Sequence, residues 1–218
     1  DKYPRALETD AQVAADAGVD IIFAPSVDEM YPEGEPLIRI SSGELGNKFE
    51  GITRPGHFDC VLTVVNKPFN IVRPAAGSHE VNAYFGQKDA QQVLLVQRMI
   101  HDFNHDITLR PVAIVRDDDG LALSSRNEFL SEQEREAALV ISRTLALMRE
   151  NSLNRGFESI DLESARARIN STEGVRLDYL ELVDPSNFQP PTADSERVLA
   201  LVAAYVGSTR LIDNMDLL

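Results

Sequence analysis

Over the first half of the chain, apolar positions alternate between helical spacing and short unbroken runs. Residues 5–17 keep helical spacing up to Gly18, a residue suited to the left-handed cap that ends a helix. Val19–Ala24 (VDIIFA) is nearly continuous in apolar residues and predicts a strand covered on both faces. Leu37–Ile40 predicts a short strand after the turn Tyr31-Pro32-Glu33-Gly34. From Phe58 to Val72, apolar positions 61, 64, 65, 68, 69 and 72 predict a helix. Pro68 predicts a kink in it, since the proline ring clashes with the carbonyl four residues back. An irregular stretch, Pro74–Glu80, leads to a strand over Val81–Phe85, a turn at Gly86 and a helix from about Asp89 to Phe103. Ile107–Val115 predicts another strand, with Pro111 placing it at an edge or a bulge.

This order of helix and strand predicts an α/β architecture, a parallel sheet with helices on its faces. Ligands in such sheets bind beyond the carboxyl ends of the strands. The turns there are Gly86–Gln92 and Arg116–Asn127. Past residue 130 the pattern changes. Ser131 and Glu134 form a capping box opening a helix to about Glu150. A polar linker (Asn151–Gly156), a short helix near 161–170, an alternating strand (Val175–Val183) and a more buried strand (Arg197–Val206) follow. These predict a smaller α+β unit and a division into residues 1–114 and 115–218.

Composition narrows the function classes. The 218 residues are 43% hydrophobic, enough for a core, and no stretch approaches the roughly 20 apolar residues of a membrane span. With 35 acidic and 21 basic residues, a net charge of -14 and no Lys/Arg cluster, nucleic acid is not an expected partner. Cys60 is the only cysteine, which rules out an internal disulfide and fits a reducing cytoplasm. It reads as a packed small hydrophobe rather than a reactive thiol. The expectation is a soluble cytoplasmic protein handling small molecules. The chain opens at Asp1-Lys2-Tyr3-Pro4-Arg5 and reads as though it starts in mid-protein.

Two segments could carry chemistry. In Phe85-Gly86-Gln87-Lys88-Asp89-Ala90-Gln91-Gln92 a strand meets a helix N-terminus, whose free N–H groups favour an anion. Gly86 lets backbone approach a nucleotide, Lys88 offers a point charge to phosphate, Asp89 can accept from ribose hydroxyls, and Gln92 faces the same way one turn on. On spacing alone the commoner reading makes Asp89 a helix cap and Lys88 a solvated charge. In Arg116-Asp117-Asp118-Asp119-Gly120-Leu121-Ala122-Leu123-Ser124-Ser125-Arg126-Asn127, two hydroxyls and a guanidinium could grip a polyphosphate. The three aspartates read as a solvated hairpin turn rather than a metal site. His57, in Arg54-Pro55-Gly56-His57-Phe58, is a lone histidine at a helix start and reads as structural.

Taken together, YPRALETD, FAPSVDEMYP, EGITRPGHFDCVLTVV, FGQKDAQQ, VRDDDGLALSSRN, DYLELVDP and STRLIDN resemble the pantothenate synthetase family. The likeness spans essentially the whole chain, and FG-x-KD-x-QQ with LSSRN is its most specific part. It implies a Rossmann-like domain, similar to class I aminoacyl-tRNA synthetases, followed by the α+β domain, and a homodimer. It implies a ligase that joins pantoate to β-alanine through pantoyl adenylate, with ATP as substrate and Mg²⁺ assisting. Carried onto this chain, Gly86, Gln87, Lys88 and Asp89 line the ATP site, and Val115 meets adenine through its backbone. Leu123, Ser124, Ser125 and Arg126 form a phosphate loop, and Gln92 holds pantoate. Lys88, Ser124 and Arg126 are the expected catalytic residues. No protein metal ligand is implied.

The chain departs from the family pattern at Gln87 (usually Glu), Ala90 (an aromatic), Cys60 (Gly) and Pro68 (Leu), and the loop over Ala75–Asn82 is longer. The family's upstream P-T-M-G-x-x-H-x-G-H segment, with its two phosphate-binding histidines, and an upstream glutamine shared by pantoate and β-alanine are not in these residues. On that basis the sheet is expected to be N-terminally truncated and the active site incomplete. Two other readings stand beside the ligase: a non-catalytic nucleotide-binding or dimerising remnant, and a related nucleotidyltransferase of the same superfold.

Overall fold

The computed structural model describes residues 6–74 and 80–218, which form two compact units, one ending at Arg39 and one running from Ile40 to Leu218. The first holds α1 (Leu7–Asp16) and the single turn α2 (Val27–Met30). Gly18 takes φ +83°, the left-handed geometry expected after α1. Ser26 and Glu29 form a capping box on α2. The two strands expected over Val19–Ala24 and Leu37–Ile40 are not formed, and Ile21, Leu37 and Ile38 are 84%, 102% and 88% exposed. A strand needs a ladder partner, and no described segment pairs with either run, so apolar content alone is not enough.

In the second unit a 3-10 helix over Gly43–Asn47 precedes α3 (Glu50–Thr53) and α4 (His57–Ile71). Pro68 does not divide α4: it sits in the last turn, where little of the ladder remains to be lost. The expected irregular stretch after it, and most of the longer loop, lie outside the described residues. Strands β1 (Asn82–Gly86) and β2 (Thr108–Val112) run parallel, Asn82 opposite Thr108 and Gly86 opposite Val112, with α5 (Ala90–Asp102) as the crossover between them. Pro111 lies opposite Phe85 in β2, which is an edge strand among the described residues. The turn expected at Gly86 falls one step later. Gly86 is extended (φ −66°, ψ 128°) and closes β1, and a 3-10 turn over Gln87–Asp89 leads into α5. Phe58 and Leu62 of α4 pack on Leu95, Val96, Met99 and Ile100 of α5. Cys60, expected to be packed, is exposed: 58 and 62 define the inward stripe of α4, and 60 falls between them on the other side.

Helix α6 (Glu132–Arg155) opens on the Ser131–Glu134 capping box and continues through the expected linker to Gly156 (φ +83°). With α7 (Leu162–Asn170) it packs against an antiparallel sheet ordered β3 (Val175–Val183), β4 (Leu199–Val206), β5 (Thr209–Asp216). Every residue of the central β4 is buried except Tyr205, which is partly so. β5 was not expected from the pattern, because Arg210, Asp213 and Asn214 break its apolar alternation. Leu94 of α5 joins Val183, Phe188, Leu199 and Leu201 in a cluster linking the parallel pair to the antiparallel sheet. That packing fixes the position of the Gln87–Asp89 turn above β5.

Candidate functional site

The Gln87–Asp89 turn is fastened to β5 by one side chain. Asn214 Nδ2 donates to the carbonyls of Gln87 (2.9 Å) and Lys88 (3.0 Å). Its neighbour Asp213, 5% exposed, accepts two bonds from the Arg116 guanidinium at 2.7 and 2.9 Å. Arg116 also donates to the carbonyls of Gly120 and Asn214. The bidentate pair and these carbonyls satisfy a charge pair that would otherwise be costly to bury.

Arg116 begins the expected hairpin. Leu123 N–H donates to the Val115 carbonyl and Asp117 N–H to that of Leu121, with Gly120 at φ +93° in the turn. Asp117 and Asp119 both accept from Arg135, at 2.6 and 2.8 Å, so these carboxylates are spent on an arginine. Ser124 then caps the 3-10 helix Ser125–Phe129, its hydroxyl accepting from Arg126 N–H, and Arg126 Nη1 donates to the Arg210 carbonyl.

Lys88 stands between two small cavities. One, of about 30 Å³, is lined by Glu50, Arg54, His57, Asp89, Gln92 and Asp213 among others. The other, of about 10 Å³, brings Lys88 to Ser124, Asn127 and Asp213. The Lys88 ammonium has no hydrogen-bond partner among the described residues. Burial lowers its pKa, Asp89 opposes that, and Arg126 adds to it. Its partial burial sets aside the reading of Lys88 as a solvated charge. Asp89 occupies the N-cap position of α5 but makes no side-chain cap bond, which leaves its exposed carboxylate free. The Gln92 amide is likewise unspent among the described residues. A half-buried, unpartnered ammonium beside a hydroxyl and a carboxylate is an arrangement that a phosphate completes.

The structure thus brings Lys88, Asp89 and Gln92 together, and Lys88 with Ser124, while Arg126 lies close enough to act on the lysine's charge. Gly86, Val115, Leu123 and Ser125 line neither cavity. Val115 and Leu123 sit at the open end of the hairpin, 60% and 47% exposed, and a methyl group at Gly86 would meet nothing within 4 Å. Gln87 lines a different, larger cavity.

His57, expected to be structural, and several residues that no sequence pattern marks also lie at this site. His57 lines the Lys88 cavity, its ring tilted 51° against Phe58 with centroids 5.0 Å apart, and burial followed by the Arg54 charge lowers its pKa. Beside it lies a partly buried ion cluster. Arg210 binds both oxygens of Glu50 (2.7 and 2.8 Å) and one oxygen of Asp178 (3.0 and 2.7 Å), and Tyr179 hydroxyl donates to Glu50 at 2.9 Å. Burial, then the Glu50 charge, raises the Tyr179 phenol well above its ordinary range. Consecutive residues Asp178 and Tyr179 reach one ion pair because the β3–β4 register shifts between Leu177 and Tyr179, a bulge that interrupts strict alternation. Gln91, buried, donates to the Leu45 and Lys48 carbonyls and accepts from Glu50 N–H, which holds the start of α3. The signal for β5's part was the STRLIDN segment, which contains Arg210, Asp213 and Asn214.

The family model for pantoate-beta-alanine ligase matches residues 1–216. The chain belongs to the pantoate–β-alanine ligase family. It is 49% identical to the pantothenate synthetase of Paenarthrobacter aurescens (strain TC1), covering 100% of this chain and 77% of that protein. It is 48% identical to the pantothenate synthetase of Corynebacterium glutamicum (strain R), covering 99% and 75%. Among solved structures, pantothenate synthetase from Thermus thermophilus matches with a TM-score of 0.89 at 41% identity, over 99% of this chain and 76% of that one. Pantoate-beta-alanine ligase from Francisella tularensis, solved with Beta-gamma ATP and Beta-alanine, matches at 0.74 and 36% identity, over 98% and 70%. As a pantoate–β-alanine ligase the protein joins its two substrates with ATP, and the reading as a non-catalytic remnant is not favoured. Among the described residues, no helix is long and apolar enough to cross a membrane.

Proposed function

We propose that this ligase works in two steps at the Lys88 turn. Pantoate carboxylate attacks the α-phosphorus of ATP and pyrophosphate leaves; the β-alanine amine then attacks the acyl carbon of pantoyl adenylate and AMP leaves. The observation that carries this is the partly buried Lys88 ammonium, with no hydrogen-bond partner among the described residues, sharing one cavity with Gln92 and another with Ser124. Lys88, Ser124 and Arg126 neutralise charge on the leaving pyrophosphate, and the lowered dielectric around Lys88 strengthens that contact. Asp89 accepts from the ribose hydroxyls, Gln92 holds pantoate, and Gly86, Gln87, Val115, Leu123 and Ser125 complete the nucleotide surface, with Val115 meeting adenine through its backbone. The carboxylate attack then depends on positioning rather than covalent help.

Mg²⁺ fits as a companion of the triphosphate. Among the described residues no group of three His, Cys, Asp or Glu side chains could hold a metal ion, and Asp89 is the free carboxylate at the site. Such an ion would take its ligands from the triphosphate and water and would supply further charge neutralisation. We assign nucleotide binding to residues 1–114 and the α+β domain to 115–218, in a cytoplasmic homodimer. The single cysteine suits that compartment.

The test is pyrophosphate release by Lys88→Ala and Arg126→Ala in the full-length protein. Each is expected to fall at least about tenfold, a loss of roughly 1.4 kcal/mol of transition-state stabilisation. Unchanged rates in both would remove the site assignment.

A further inference from the structure

The largest cavity that the Lys88 turn borders is not the one Lys88 faces. It measures about 320 Å³, within the range of small-molecule sites, and lies between α5, the end of β2 and the β4–β5 edge. Val93, Leu94, Ile114, Phe188, Leu199 and Met215 form most of the apolar part of a lining that is otherwise polar. Three arginines also line it, against one aspartate, in a chain of net charge -14. Two of the three are already neutralised: Arg116 by Asp213, and Arg197 by Asp216. Arg149 alone has no hydrogen bond or ion pair among the described residues, and the side-chain amide of Gln97 is likewise unspent. One free guanidinium over an apolar wall is complementary to one negative charge on an apolar body.

We propose that this cavity is a second ligand site, taking a small monocarboxylic acid with a branched aliphatic body, and that its occupancy is felt at the Lys88 turn. The two cavities share a wall. Ala90 and Asn214 line both, and Asn214 is the residue that grips the Gln87 and Lys88 carbonyls. Arg116 lines the larger cavity, while its partner Asp213 lines the two around Lys88. A carboxylate drawn in by Arg149 would pack its body beside these two clamps. The coupling half of the proposal rests on the Lys88 turn being the ATP site; the binding half does not.

The probe is 4-methylpentanoate, titrated by calorimetry into the full-length protein with ATP and pantoate present in excess, so that the reaction site is taken. Binding at millimolar concentration or tighter is expected. Arg149→Gln should weaken it at least fivefold. Gln97→Trp, at an exposed helix position where folding is not at stake, should abolish it by filling the cavity. Both variants should release pyrophosphate at the parent rate without probe, and a loss there would show that the cavity belongs to the reaction site and would overturn the proposal of a second one. No binding to the parent, or equal binding to both variants, would overturn the site. An ATP affinity unchanged by saturating probe would overturn the coupling, since linkage is reciprocal.

Discussion

Arg210 is the residue whose loss the structure predicts to be most damaging away from the reacting groups. It is 13% exposed and is the common partner of Glu50, also 13% exposed, and Asp178, 24% exposed. Arg210→Ala strands two carboxylates against each other at the foot of β5. Removing one partner of a buried pair costs about 3–5 kcal/mol, and the residual exposure here points to the lower end, about 3 kcal/mol. Glu50→Ala is milder, at about 2 kcal/mol, because Arg210 keeps Asp178 and the main loss is one charge contact and the acceptor for Tyr179. The double variant removes both sides and should cost less than the sum by about 1–2 kcal/mol. Urea unfolding is the assay. At a slope of about 2–3 kcal/mol/M, Arg210→Ala should lower the midpoint by about 1–1.5 M. Arg143→Ala, which breaks an exposed pair with Glu136 (54% and 69% exposed), is the control and should change stability by less than about 0.5 kcal/mol. Additive single variants, or Glu50→Ala as harmful as Arg210→Ala, would refute the view that one arginine serves two carboxylates.

Two further predictions concern the turn itself. The Lys88 pKa is lowered from 10.5, chiefly by burial, so the ammonium is lost as pH rises through that lowered value. The alkaline limb of kcat/KM for ATP, which reports the free enzyme, should therefore fall below 10.5, and a limb at or above that value would contradict the burial argument. Asn214→Ala removes two hydrogen bonds to the Gln87 and Lys88 carbonyls. It should raise KM for ATP by about tenfold, the equivalent of about 1.4 kcal/mol, and equal KM values would show that the turn holds its place without β5.

What was legible in the sequence follows from which contacts are local. α5 and α6 were readable because their apolar stripes and, for α6, the Ser131–Glu134 box lie within a few residues of each other. Lys88, Asp89 and Gln92 were readable as neighbours because a helix N-terminus places them on one side. Bringing Ser124 and Arg126 toward Lys88 took the family likeness, since no periodicity relates positions so far apart. β5 was missed for a tertiary reason: its buried Asp213 and Asn214 are tolerable only because Arg116 and the Gln87 and Lys88 carbonyls meet them. The Glu50–Arg210 pair joins residues 160 apart, and Asp178 and Tyr179 both reach it across a register shift in β3, neither of which a pattern encodes. Val19–Ala24 shows the opposite error, where an apolar run satisfied the strand pattern without a ladder partner among the described residues.

In the proposed mechanism, adenylation of pantoate at the Lys88 turn precedes amide formation. Pyrophosphate release by the full-length protein, measured with ATP, Mg²⁺ and pantoate before β-alanine is added, tests it directly. The expected result is a burst of pyrophosphate that requires pantoate and is lost in Lys88→Ala, followed by AMP and pantothenate once β-alanine is supplied. Pyrophosphate that appears without pantoate, or only after β-alanine is added, would contradict it.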